Sequence, residues 1–213
     1  GKPQAHLDFS SISDDEQIEF FSGLHPASIS GGREFAAACD LSQHRSMVDV
    51  GGGSGGFTLG LIEKWSHLQA TVVDLPHITT VTRRFIEEAG ATDKITIVGA
   101  DLVTEPCPDS LTDTFDVAIL RNFIQVLSPD DAKSALGHVA DALHPGGRIY
   151  VTGHILDDTR AAPRESVTFN LVFLNIYENG QAYTQHEYET CFEEAGYTDI
   201  EFLTEDLVTA LKT

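Results

Sequence analysis

Basic side chains are scarce: 13 lysines and arginines stand against 33 acids, a formal net charge of −20 over 213 residues. A surface of that sign repels phosphate backbones and anionic headgroups, which argues against nucleic acid and membrane surfaces as partners. The acids are scattered rather than gathered in one tail, so they read as a strongly solvated surface of the kind suited to a salty medium. Long uncharged apolar runs are missing, so a membrane-spanning helix is not expected. The opening GKPQAHLDFSS lacks the apolar stretch of a signal peptide. It also lacks an initiator methionine, so a processed, tagged or excised N-terminus is expected. The 3 cysteines, Cys39, Cys107 and Cys191, form neither CxxC nor metal spacing and read as isolated reduced thiols of a cytoplasmic protein. The 9 histidines show no HxH or HxxxH pattern, so a zinc site is not expected.

What is present is organised. Hydrophobic residues make up 41% of the chain, enough for one full-sized core. From Arg45 onward, short β-branched runs alternate with segments of helical period. The runs are SMVDV (46–50), ATVVD (70–74), KITIV (94–98), FDVAIL (115–120) and RIYVTG (148–153); helix-like segments lie at 55–66, 77–90 and 130–143. This is the pattern of repeated β-α units around a mostly parallel sheet buried on both faces. Such sheets bind ligands at the carboxyl edge of their strands. Ser128-Pro129-Asp130 reads as a helix start, and His144-Pro145-Gly146-Gly147 as a stop and tight turn. Ser13 and Glu16 fit a capping box for a short helix near 14–22. The apolar run within 163–177 reads as a helix over a pocket, and YTDIEFL with LVTAL as a closing antiparallel hairpin.

VDVGGGSGG (48–56) places five glycines in six positions after a strand, more entropy than an ordinary turn would forgo. Gly51, Gly53 and Gly56 fit G-x-G-x-x-G, which suits a dinucleotide or S-adenosylmethionine. Asp49 helps to decide between them: a carboxylate there disfavours a pyrophosphate and favours a sulfonium and an ammonium. Asp74, ending the second strand, can accept both ribose hydroxyls, and Asp101 after the third can accept the adenine amino group with Leu102 against the ring. Three acids after three successive strands, without basic residues for phosphates, point to S-adenosylmethionine.

With these residues in place, the chain resembles the catalytic domain of class I S-adenosylmethionine-dependent methyltransferases. More narrowly it resembles the small-molecule O-methyltransferases. The stretches that carry this are VDVGGGSGG, VVDLP (72–76), the GAD turn (99–101), FDVAILRNFIQVLSPDDA (115–132), LHPGGRIYV (143–151) and EYETCFEEAGY (187–197). The resemblance implies a Rossmann-like three-layer αβα fold of α/β class, with a seven-stranded, mainly parallel sheet and a C-terminal antiparallel hairpin. It implies that Asp49, Gly51 and Gly53 hold the methionine end of the cofactor, Asp74 and Leu75 the ribose, and Asp101 and Leu102 the adenine, with Arg121 near by. It also implies that residues 1–44 are a helical remnant of, or linker from, a dimerisation domain, and that 45–213 are the catalytic domain. A homodimer is then expected where that domain is present.

The chain departs from that pattern where the reaction is run. The family's general-base His aligns with Gln125, and its two supporting glutamates with Gly153 and Ala182. Glutamine takes no proton at ordinary pH, though it can orient an acceptor by hydrogen bonds. His25 and His154 are the candidate substitutes, since a free imidazole is half charged near pH ~6.5. Arg121-Asn122 replaces the acid that magnesium-dependent relatives carry, so no metal is expected, and RNFI lacks the prolines of nitrogen-methylating relatives. The expectation is methyl transfer to a small-molecule hydroxyl, a phenol or enol of secondary metabolism. Two alternatives stay open: a non-catalytic cofactor-binding scaffold, and a nicotinamide-dependent oxidoreductase, which Asp49 and the missing Tyr-x-x-x-Lys disfavour.

Overall fold

The computed structural model describes residues 11–213. Seven strands form one mixed sheet in the order Ile95–Gly99, Gln69–Asp74, Ser46–Val50, Phe115–Arg121, Leu143–Thr152, Leu207–Lys212 and Tyr197–Thr204, mostly parallel with antiparallel strands at the C-terminal end. The described chain divides into two compact units, residues 11–101 with 115–117, and residues 102–114 with 118–213.

The first unit holds α1 (Asp14–Ala38), β1 (Ser46–Val50), α2 (Gly56–Lys64), β2 (Gln69–Asp74), α3 (Thr79–Glu88) and β3 (Ile95–Gly99). β1 pairs parallel with β2, Asp49 opposite Val72, and β2 pairs parallel with β3, Asp74 opposite Gly99. Met47, Val48, Val72 and Val73 are fully buried, as strands covered on both faces require. The register brings the ends of β1 and β2 level with the glycine run and with Asp74.

α1 starts at the expected capping box, with Ser13 accepting from the Glu16 N–H and the Glu16 carboxylate from the Ser13 N–H. It does not stop near residue 22 but continues through Pro26 to Ala38. Local breakers are overridden by tertiary packing. A Cβ on Gly32 would lie 2.0 Å from the Phe57 carbonyl oxygen, and one on Gly60 2.1 Å from that of Ile29. α1 and α2 therefore touch backbone to backbone, and the glycines that weaken a helix locally permit this contact.

The second unit holds α4 (Pro129–Ala142), β5 (Leu143–Thr152), β6 (Ile155–Leu156), α5 (Arg164–Ile176), β7 (Tyr183–Thr184), α6 (Gln185–Glu194), β8 (Tyr197–Thr204) and β9 (Leu207–Lys212); β4 (Phe115–Arg121) has residues in both units. Ser128 caps α4 by accepting from the Asp131 N–H, with Pro129 at the first position, as expected. Gly146 has the positive φ of a turn (78°), and pairing of β5 with β9 begins at Arg148 opposite Leu211. β8 and β9 are antiparallel, as the closing hairpin requires. The parallel pair β6–β7 and the helix α6, opened by a Thr184–Glu187 capping box, were not anticipated. The three cysteines are free, and burial pushes the Cys39 thiol up to about 11.

Candidate active site

In the first unit the glycine run is clamped from several sides. Gly51, Gly53 and Gly55 all have φ between 54° and 70°, a left-handed backbone that an L side chain strains to adopt. The Gly51 N–H donates to the Val73 carbonyl at 2.8 Å, and the Gly53 N–H donates to Asp74 Oδ2 at 2.7 Å. The buried Thr82 hydroxyl donates to the Gly53 carbonyl at 2.6 Å. Phe21 of α1 lies so close over Gly53 that a Cβ there would come within 2.7 Å of its ring.

The acids divide into two roles. Asp49 is 1% exposed and lies under the loop: its Oδ2 accepts from the Thr58 hydroxyl at 2.6 Å and is 3.0 Å from where a Gly52 Cβ would be. It sets a buried carboxyl group against the loop. Asp74 accepts from two backbone N–H groups, Gly53 and Leu75 (2.7 and 2.8 Å). Burial raises its pKa above the ordinary carboxylate value, while those two N–H groups and His77 act in the opposite direction. A carboxylate has about four lone-pair sites, so sites remain for further hydroxyl donors. Leu75, beside it, is an apolar side chain left 37% exposed. The Ala100 N–H donates to the Asp74 carbonyl at 3.0 Å, which fixes the turn that carries the half-buried Asp101.

His25 also belongs here. Its Nδ1 is 2.8 Å from Ser54 Oγ, and its ring stacks on Phe85 with centroids 4.3 Å apart. Burial lowers its pKa, with Glu88 opposing. The structure therefore places His25 on the glycine loop as one of its supports.

In the second unit, Leu102 is buried and its carbonyl accepts from His138 Nδ1 at 3.1 Å, which requires the tautomer protonated at Nδ1. Arg121 ends β4 half-buried, and Asn122 follows it in the left-handed region (φ 51°), its N–H donating to the Thr152 carbonyl at 2.8 Å. Gln125 lies in a 3-10 turn (Ile124–Val126) and is 0% exposed. Neither its Nε2 nor its Oε1 has a hydrogen-bond partner among the described residues. Its amide fills the space beside Gly153, where a Cβ would lie 2.0 Å from Nε2. Gly153 itself has φ 155°, outside the region open to other residues. His154 stacks on Phe169 with centroids 4.1 Å apart, and burial lowers its pKa against the opposing pull of Glu165 and Asp206.

The structure thus gathers Asp49, Gly51, Gly53, Asp74, Leu75 and His25 in one unit, and Leu102, Arg121, Gln125 and His154 in the other. Phe21, Thr58 and Thr82 were missed. Nothing local marks them, because each acts across at least seven intervening residues of chain. Asn122 carried a signal, since asparagine is enriched in left-handed backbone. Among the described residues no group of three or more His, Cys, Asp or Glu could hold a metal ion, and no helix is long and apolar enough to cross a membrane.

The chain is 30% identical over 181 residues to 3-hydroxy-5-methyl-1-naphthoate 3-O-methyltransferase of Streptomyces sahachiroi, covering 85% of this chain and 51% of that protein. It is 28% identical over 193 residues to the tetracenomycin polyketide synthesis 8-O-methyl transferase TcmO of Streptomyces glaucescens, covering 90% and 56%. The chain spans about half the length of these curated relatives. Its fold matches the crystal structure of human N-acetylserotonin methyltransferase in complex with SAM at a TM-score of 0.81 and 24% identity, over 94% of this chain and 56% of that one. The model of the O-methyltransferase domain matches residues 4–198, nearly the full length. By these sequence matches, this chain belongs to the O-methyltransferase domain family.

Proposed function

We propose that this chain binds S-adenosylmethionine and methylates a small-molecule hydroxyl, a phenol or enol of secondary metabolism, without a histidine base at the position of Gln125. The observation that carries this is Asp74 at the end of β2, held by the Gly53 and Leu75 N–H groups beside three left-handed glycines, in a loop that also packs against the buried Asp49 carboxyl group. The residues fit the ligand. Asp74 retains acceptor sites for ribose hydroxyls, exposed Leu75 offers an apolar face, and Asp49 adds negative charge that a sulfonium tolerates and a diphosphate does not. When bound, S-adenosylmethionine supplies a methyl on a sulfonium; transfer to an ionised oxygen breaks the C–S bond, forms the C–O bond and leaves a neutral thioether.

What the chain adds is orientation. Positioning alone can supply up to about 7–11 kcal/mol, whereas a general base adds roughly 10²–10⁴-fold. Gln125 can donate to or accept from an acceptor but cannot remove its proton. The reactive hydroxyl must then lose its proton to solvent, and acidic phenols and enols do so most readily. The relatives named for a naphthoate and for tetracenomycin support an aromatic acceptor.

Transfer of labelled methyl groups from S-adenosylmethionine to phenols and enols of graded acidity tests this. The rate at fixed pH is expected to rise as the acceptor becomes more acidic, and Gln125→Ala, His25→Ala and His154→Ala each should lower it less than a lost base would. No transfer to any acceptor, with the cofactor bound, favours the scaffold alternative. A loss of 10²-fold or more in His154→Ala makes that residue the base.

A further inference from the structure

The Gln125 amide is buried, and neither its donor nor its acceptor is matched among the described residues. Its backbone is not in that condition, because its carbonyl accepts from the Gln181 N–H at 2.9 Å. Buried polar groups are nearly always paired, so such an amide is a place where a ligand atom is expected. In the same unit the Tyr183 hydroxyl donates to the Leu127 carbonyl at 2.7 Å, and Asn170 Oδ1 accepts from the Ala182 N–H at 2.7 Å, so neither atom is committed to the amide. The amide lies against Gly153, a residue without a side chain that keeps partial exposure after β5.

We infer that Gln125 selects aromatic acceptors with two adjacent hydroxyls, taking the ionised oxygen on its buried Nε2 beside Gly153 and the neighbouring O–H on its Oε1, both atoms being unpartnered among the described residues. The inference rests on the O-methyltransfer reading and names its substrate class. An amide presents one donor and one acceptor side by side, so its complement presents an acceptor and a donor side by side. In the mono-anion of a vicinal diol, the charged oxygen meets the N–H and the remaining hydroxyl meets the C=O. Hydrogen bonds to a charged group are the stronger kind. A hydroxyl beside a carbonyl offers the same pair with the roles reversed: its reactive O–H stays protonated on Oε1, where no group can take the proton. A lone phenol leaves Oε1 unmatched.

Calorimetry with 2,3-dihydroxynaphthalene and 2-naphthol, on protein saturated with S-adenosylhomocysteine, tests the assignment. The diol is expected to bind about tenfold or more tighter, the worth of one net hydrogen bond. Gln125→Met, close in shape and without polar atoms, should bring the two within about threefold, chiefly by weakening the diol. Gln125→Glu, which keeps the shape and loses the donor, should weaken the diol as well. Equal binding by the unaltered protein, no binding of the diol, or a preference that survives both substitutions overturns the inference. If S-adenosylhomocysteine gives no heat, the methyltransfer reading falls instead, and the same titrations on unloaded protein still report on Gln125.

Discussion

Replacing Gly153 with alanine tests the packing of Gln125 directly. The new methyl carbon would stand 2.0 Å from Gln125 Nε2, far inside contact distance, on a backbone with φ 155°. The backbone strain is worth about 1–3 kcal/mol, and forcing the amide aside in a filled core costs about 1–3 kcal/mol. Together these predict a loss of about 2–6 kcal/mol, a drop of about 1 M or more in the urea midpoint. The two parts can be separated. Gln125→Ala removes the group that the methyl would strike but leaves the backbone strain. In the double variant the steric part should vanish, giving a coupling of about 1–3 kcal/mol between the sites. Urea unfolding of the parent, both single variants and the double variant measures it. A Gly153→Ala loss under about 0.5 kcal/mol, or additivity within about 0.5 kcal/mol, would refute the reasoning.

Gly32→Ala and Gly60→Ala press a methyl onto carbonyl oxygens of the facing helix at 2.0 and 2.1 Å, where no flexible side chain can yield. Each should cost about 1–3 kcal/mol or more in thermal or urea unfolding. Thr58→Val removes the hydroxyl that donates to the buried Asp49 at 2.6 Å and should cost about 1.5–3 kcal/mol, read in the same assay. Burial lowers the pKa of both His25 and His154 from 6.5. Below that value the unfolded chain therefore takes up protons that the folded chain does not. Stability should fall as pH drops through 6.5 towards the folded values, and His25→Phe should flatten that slope in urea midpoints collected from pH 8 to 5.

The sheet was legible because strands covered on both faces read as continuous β-branched runs, as SMVDV and ATVVD do. Caps were legible where the chemistry is local, as at Ser13 and Ser128. The length of α1 was not, since Gly23, Pro26 and Gly32 all signal a stop and only the contact with α2 reverses them. α6 had a readable Thr184-x-x-Glu187 box that was passed over, whereas the two-residue β6 and β7 are too short to leave a pattern. At the site, the glycines and acids stood out by composition and spacing. The placement of Asp49 beneath the loop, on Thr58, did not, nor did the seat of Gln125 against Gly153, because both depend on which distant residue arrives opposite. His25 was legible as a histidine and illegible as a partner of Ser54, 29 residues away.

The central claim is that the carboxylates around the glycine loop suit a cationic thioether donor and repel a diphosphate. Calorimetry of the unaltered protein with S-adenosylmethionine and with NAD, repeated on Asp74→Asn, tests it most directly. The account predicts binding of S-adenosylmethionine, no measurable heat with NAD, and a loss of about tenfold or more for S-adenosylmethionine in Asp74→Asn. Tighter binding of NAD, or unchanged affinity in Asp74→Asn, would contradict it.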